Sequence, residues 1–146
     1  MKKFVLVFAL AFLSATLLHA HKSIACSCGG RLSILGSYNL ASDVFRGKVT
    51  GISPPASKVT RSKDGWVSVS PAGTPGVVKI SVIETFKGSQ GKEVQFDAGW
   101  GSCDYPFEVG EEYLIYADRD SGKLDTDKCK RTRPISKASQ DLKYIR

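Results

Sequence analysis

Four cysteines constrain this chain more than any other feature. Cys26 and Cys28 stand one residue apart, whereas Cys103 and Cys129 are isolated far downstream. A bridge from Cys26 to Cys28 is sterically poor and closes almost nothing. Two pairings then remain, 26–103 with 28–129 or 26–129 with 28–103. Both tie an N-terminal edge to the distal half of the chain. Loops of this length each contribute about 4.5 kcal/mol in the chain-entropy description, less any strain. A four-cysteine zinc site fits badly, because one close Cys-x-Cys and two isolated cysteines lack paired-knuckle spacing.

The residues before Cys26 set the redox compartment. Lys2 and Lys3 precede an uncharged apolar run, Phe4 to Leu18, that is too short for the ~20 residues a membrane span needs. This is the pattern of a cleavable secretory signal over residues 1–25, with a domain over 26–146. Cleavage after Leu18-His19-Ala20 leaves His21 first; cleavage after Ser23-Ile24-Ala25 leaves Cys26 first and is the preferred reading. A secreted location, extracellular or periplasmic, makes two disulfides the default.

Histidine is the informative absence. His19 and His21 are the only two, and both fall in the signal under the preferred cut. The exported domain therefore has no Ser-His or Cys-His nucleophile and no His-ligated metal centre. It is expected not to be an enzyme and to carry no cofactor. Lys2, Lys3 and Lys22 leave with the signal, so eighteen basic residues face fourteen acids, a mildly basic surface. Lys128, Lys130, Arg131 and Arg133 form a local basic cluster, read as a solvated edge rather than a nucleic-acid site.

Periodicity predicts short strands between two small helices. The apolar positions over 31–41 suggest a helix, weakened by Gly36. Strands are expected over Asp43–Ile52, Val77–Phe86, Glu93–Ala98, Glu112–Ala117 and Lys123–Cys129. Glu112–Ala117 reads as buried on both faces. Ser53–Gly76, rich in Pro, Ser and Gly, is expected to be a long exposed loop, with at most a small strand at Trp66–Val69. Ser136–Ile145 closes as a helix with Ala138, Leu142 and Ile145 on one face. The fold class is mainly β: a five-stranded OB-type Greek-key barrel with short N-terminal and C-terminal helices.

Several segments together resemble a known family. They are Cys26-Ser27-Cys28, the Ala41–Val49 strand (ASDVFRGKV), Ile83–Gly88 (IETFKG), Ser102-Cys103 before Tyr105, Phe107–Ala117, and Gly122-Lys123-Leu124 with Cys129. In this combination the chain resembles the netrin-like domain, and within it the N-terminal domain of the tissue inhibitors of metalloproteinases. The resemblance implies the bridges Cys26–Cys103 and Cys28–Cys129 and an OB-type barrel. It also implies a secreted inhibitor of zinc metalloendopeptidases. In that mechanism the Cys26 α-amine and carbonyl chelate the target's catalytic zinc, Ser27 points into the adjacent specificity pocket, and Gly101 and Ser102 occupy the other side of the cleft. The only metal involved is the target's. The third disulfide of the family and its proline after Cys-x-Cys are absent; Gly29 and Gly30 follow instead.

The alternative is a non-inhibitory adhesion or binding module of the cell envelope or extracellular matrix. Matrix components or polyanions are then the partners, with no nucleic acid, and no membrane unless Cys26 is lipidated. The domain is expected to be a monomer. Trp66 and Trp100 are assigned to core or loop packing, and Tyr105, Tyr113 and Tyr116 to the barrel core. Arg46 and Lys48 are placed on an outer face, and Asp104, Glu108, Glu111 and Glu112 on a solvated rim.

Overall fold

The computed structural model describes residues 26–30, 32–73, 75–98 and 101–146. The expected signal over 1–25, the two cleavage sites and Trp100 lie outside the described residues.

The mainly β architecture is as expected. Strands β1 (Asp43–Ser53), β4 (Gly76–Lys87), β5 (Glu93–Ala98), β7 (Lys123–Asp125) and β6 (Glu112–Asp120) follow one another around the sheet, and β1 pairs again with β6 to close it. All neighbours are antiparallel except β5 and β7, which are parallel. This closed five-strand mixed barrel is consistent with the OB type. A short strand β8 (Arg133–Pro134) adds to the far side of β6. Helix α1 (Ile34–Leu40) precedes the barrel, and helix α2 (Ser139–Ile145) follows a single 3₁₀ turn.

The period of two in the sequence places two different cores on the two faces of β6. Tyr113, Ile115 and Ala117 point inward, where they join Phe45, Val49, Val78, Ile80, Phe96 and Leu124. Leu114 and Tyr116 point outward and are covered by Ala41, Val44 and Ala138, with Tyr38, Ile135 and Leu142 alongside. One strand is thus buried on both faces, as its unbroken apolar run predicts. Tyr116 belongs to the outer core, not to the barrel interior assigned from sequence, because its position in the strand's alternation is odd against Tyr113.

β1 can serve two neighbours because it is long and bent, with register irregularities along its pairing with β4. Gly47 lies at the bend: a Cβ there would sit 2.4 Å from Ile80 Cγ2 and 3.2 Å from the Ser81 carbonyl oxygen. Only glycine lets the two strands approach so closely.

The segment expected to be a loop is a structured hairpin. β2 (Ser57–Arg61) and β3 (Val67–Pro71) pair antiparallel, Val59 opposite Val69. The Asp64-Gly65 signal does mark its turn, with Gly65 at φ 85° and its N–H donating to the Ser62 carbonyl. Proline and serine content masked the β-branched residues between them. Trp66, assigned to packing, is instead 79% exposed. The fifth barrel strand is also shorter than expected, ending at Asp125, and β6 runs on to Asp120.

Candidate functional site

The cysteine pairing is Cys26–Cys103 and Cys28–Cys129, as the resemblance implies. The bridges lie side by side, with the Sγ atoms of Cys26 and Cys129 3.7 Å apart. The sulfurs of Cys26, Cys28 and Cys129 fall within 4.8 Å of one another. Each is committed to a disulfide, which removes the thiolate that a metal would need. Two disulfides are compatible with an oxidising, extracellular environment.

The bridges bring together the residues singled out from sequence. Ser27, Cys28, Gly101 and Ser102 are exposed, and Cys26 is half-buried. The Gly101–Asp104 turn is held at both ends, since Gly101 N donates to Asp104 Oδ2 at 2.9 Å and Asp104 N donates to the Gly101 carbonyl at 3.2 Å. A second layer of contacts docks this turn on the segment around Cys129. Lys128 N donates to the Cys103 carbonyl, Lys128 Nζ donates to the Ser102 carbonyl at 2.7 Å, and Asp104 bridges to Asp127. Asp127 in turn accepts from the N–H groups of Cys129 and Lys130. The edge is therefore clamped by Asp104, Asp127 and Lys128, none of which sequence reasoning assigned to it. The one available signal was an Asp two residues before a bridging cysteine, an Asx-turn pattern. On the other side of Cys28, nothing among the described residues lies within 4 Å of a Cβ placed on Gly29 or Gly30.

Most of the motif that carries the resemblance is committed to the barrel. Asp43 is 2% exposed and accepts from Arg119 at 2.9 Å; Gln90 also donates to it. Gly88 has φ 85°, and a Cβ there would collide with the Asp43 carboxylate. Lys87 Nζ donates to the carbonyls of Tyr38 and Asn39, the last turn of α1, where a cation meets the negative end of the helix. Arg46 reaches across to Glu112 and is half-buried rather than fully outward, while Lys48 is exposed as expected. These residues of the Asp43–Gly47 and Phe86–Gly88 segments build the fold and do not touch the edge.

A second charged centre lies behind the edge. Asp141 is fully buried at the start of α2 and is held by Arg131 at 2.6 Å, Arg133 at 3.4 Å and the Tyr116 hydroxyl at 3.0 Å. Burial pushes the Tyr116 phenol up, and the Asp141 charge and hydrogen bond push it further, against the pull of Arg131 and Arg133. Lys130 lies among Asp118, Asp125 and Asp127. Burial alone would lower its pKa, but the bond to Asp125 and the three charges more than offset this and raise it.

No protein-family model matches the chain, and no curated protein matches it.

Proposed function

We propose that the protein is a secreted inhibitor of zinc metalloendopeptidases that acts through a free N-terminal Cys26. The observation that carries this reading is the exposed edge in which one disulfide locks Cys26 to Cys103 and the other locks Cys28 to Cys129. A catalytic zinc keeps one coordination position for water. An α-amino group loses its proton near pH 7.7–8.0, so a metal displaces that proton at modest cost. The Cys26 amine and carbonyl oxygen then close a five-membered chelate and expel the water. Ser27 enters the neighbouring pocket and Gly101-Ser102 lies along the opposite wall. The staples and the clamp of Asp104, Asp127 and Lys128 hold this wedge in shape before binding, which reduces the ordering cost of association. Gly29 and Gly30 work against that and lower the affinity.

The test has two steps. N-terminal sequencing of the exported protein is expected to read Cys26 first; a start at His21 removes the chelate and ends the reading. Titration against a panel of metalloendopeptidases is expected to show stoichiometric inhibition that is lost when one alanine is added before Cys26. Activity unchanged at micromolar protein would count against it.

The alternative, a netrin-like binding module that inhibits nothing, is favoured by the exposed hairpin. Val59, Trp66, Val67 and Val69 are all more than half exposed there. The hairpin leaves the barrel where Gly76 faces Ala98, the end from which the chain runs on to Gly101. Ile52, Ala98, Gly101 and Asp104 line one shared cleft at that end. Binding to a partner that survives an added N-terminal alanine but not removal of the hairpin selects this second reading.

A further inference from the structure

The two cysteine pairings left open by the sequence are one sulfur contact apart in the folded chain. Cys26 Sγ and Cys129 Sγ belong to different bridges and lie 3.7 Å from each other. Cys28 Sγ is within 4.8 Å of both. Cys28, Cys103 and Cys129 are exposed and Cys26 is half-buried, so a thiol in solution can approach either bridge. Cys26, Cys28 and Cys129 share the lining of one groove with Lys128, Arg133 and Lys137, and no acidic residue lines it. Cations beside a sulfur lower its thiol pKa, and a thiolate of lower pKa leaves a disulfide faster. Gly29 and Gly30 follow Cys28, and a Cβ on either would meet nothing within 4 Å among the described residues. The backbone there has the freedom of φ that a change of partner at Cys28 requires.

We infer that the two bridges form a thiol-triggered switch between the observed pairing and its isomer, Cys26–Cys129 with Cys28–Cys103. The co-reactant is a small thiol of the surroundings, and the reaction has three exchanges. The small thiolate attacks Cys103 Sγ, forming a mixed disulfide there, and the electron pair of the broken bond leaves on Cys26. The Cys26 thiolate attacks Cys129 Sγ across the 3.7 Å contact, forming Cys26–Cys129 and releasing Cys28 as a thiolate. Cys28 then attacks Cys103 Sγ, forming Cys28–Cys103 and returning the small thiolate. Two disulfides enter and two leave, so nothing is oxidised or reduced overall and the thiol acts as a catalyst.

In the isomer Cys26 is tied to the segment around Cys129 and no longer to the Gly101–Asp104 turn. The switch does not depend on where the signal is cut. That it would dismantle a zinc-chelating wedge is the one consequence that rests on the inhibitor reading.

The exported protein is incubated with substoichiometric reduced glutathione at pH 8, quenched in acid, and its bridges are assigned by fragmenting the chain between Cys26 and Cys28. Links from Cys26 to Cys129 and from Cys28 to Cys103 are expected to accumulate while total free thiol stays constant. Two variants isolate the central exchange without added thiol. In Cys103→Ser the freed Cys26 attacks Cys129, so alkylation after acid quench is expected to divide between Cys26 and Cys28 within about tenfold. In Cys28→Ser the freed Cys129 attacks Cys26 across the same contact, and the label is expected to divide between Cys129 and Cys103. The transfer rate is expected to be independent of protein concentration and to change less than about twofold in denaturant below the unfolding transition. Label confined to Cys26 in the first variant and to Cys129 in the second overturns the switch. So does transfer that is second order in protein, or that accelerates with denaturant in step with unfolding. Glutathione that reduces the bridges without producing the isomer also overturns it. No readout measures inhibition, so failure of the inhibitor reading and failure of the switch are seen separately.

Discussion

The barrel and the β2–β3 hairpin are built from the same strand-forming residues and end in opposite states. In β4 and β5 the alternating residues Val78, Ile80, Val94 and Phe96 are buried in a common interior. In the hairpin, Val59 and Val69 form an equally good cross-strand pair, yet every residue of β2 is exposed. Strand propensity is shared; only the barrel strands have a second surface to pack on. A two-stranded hairpin without such a surface is marginal in water. The barrel's stability therefore comes from burial and covalent closure, to which the exposed hairpin adds little.

That contrast can be broken from the barrel side first. Removing the Cys28–Cys129 bridge by paired serine substitution is expected to lower unfolding free energy by up to about 4.5 kcal/mol, measured by denaturant unfolding under non-reducing conditions. A loss below about 1 kcal/mol would show that the edge is not held by its staple. Next, Phe45→Ala, at 0% exposure inside the aromatic cluster with Phe96, is expected to cost about 3–4 kcal/mol by the same measurement. Asp141→Asn strips the counter-charge from Arg131 and Arg133 and is expected to cost about 3 kcal/mol. A neutral outcome would mean that water compensates both guanidinium groups.

Alkaline pH sharpens the same comparison. Burial, then the neighbouring Tyr113, push the Tyr105 phenol up to about 12, against a lowering by Arg133. Tyr113 and Tyr116 are also raised, chiefly by burial. The folded chain thus keeps phenol protons that the unfolded chain releases near pH 10. Their contribution to stability is complete below pH 10 and is lost as pH climbs from about 10 to about 12. Phenolate absorbance is expected to appear in two phases, the later one coinciding with unfolding. A single early phase would show that the barrel phenols are solvated. The smallest effect is expected at the hairpin, where Val69→Ala changes stability by less than about 0.5 kcal/mol. A larger loss would reveal packing beneath it.

How legible the fold was in the sequence depends on what each segment packs against. The unbroken Tyr113–Ala117 run announced burial on both faces, and the two cores around β6 bear it out. The first helix was harder to read. A helix was expected over 31–41; it spans Ile34–Leu40, with Leu35 and Leu40 exposed and Ser37 buried. Ser33 caps the helix by accepting from Gly36 N. Trp66, assigned to core or loop packing, is exposed because the hairpin that carries it has no second surface to pack on among the described residues. At the edge, Cys26, Ser27, Cys28, Gly101 and Ser102 were visible as a motif, but the clamp of Asp104, Asp127 and Lys128 was not. The contacts of Lys128 with Ser102 and Cys103 and of Asp104 with Asp127 join segments more than twenty residues apart and leave no local period; only the Asp127 turn had a local signal.

Sequence alone determined the alternation of the strands, the burial of both faces of β6, and the restriction of the cysteines to two pairings. These are local or combinatorial properties, governed by side-chain period and by how far a disulfide can reach. Tertiary structure decided which cysteines meet across 77 and 101 residues. It also decided that Arg131 and Arg133 share one buried carboxylate, and that the remaining cations line a groove beside Cys26. Each of those depends on closure of the barrel. Only that closure brings α1, the Gly101–Asp104 turn and the Lys128–Lys137 segment to the same place.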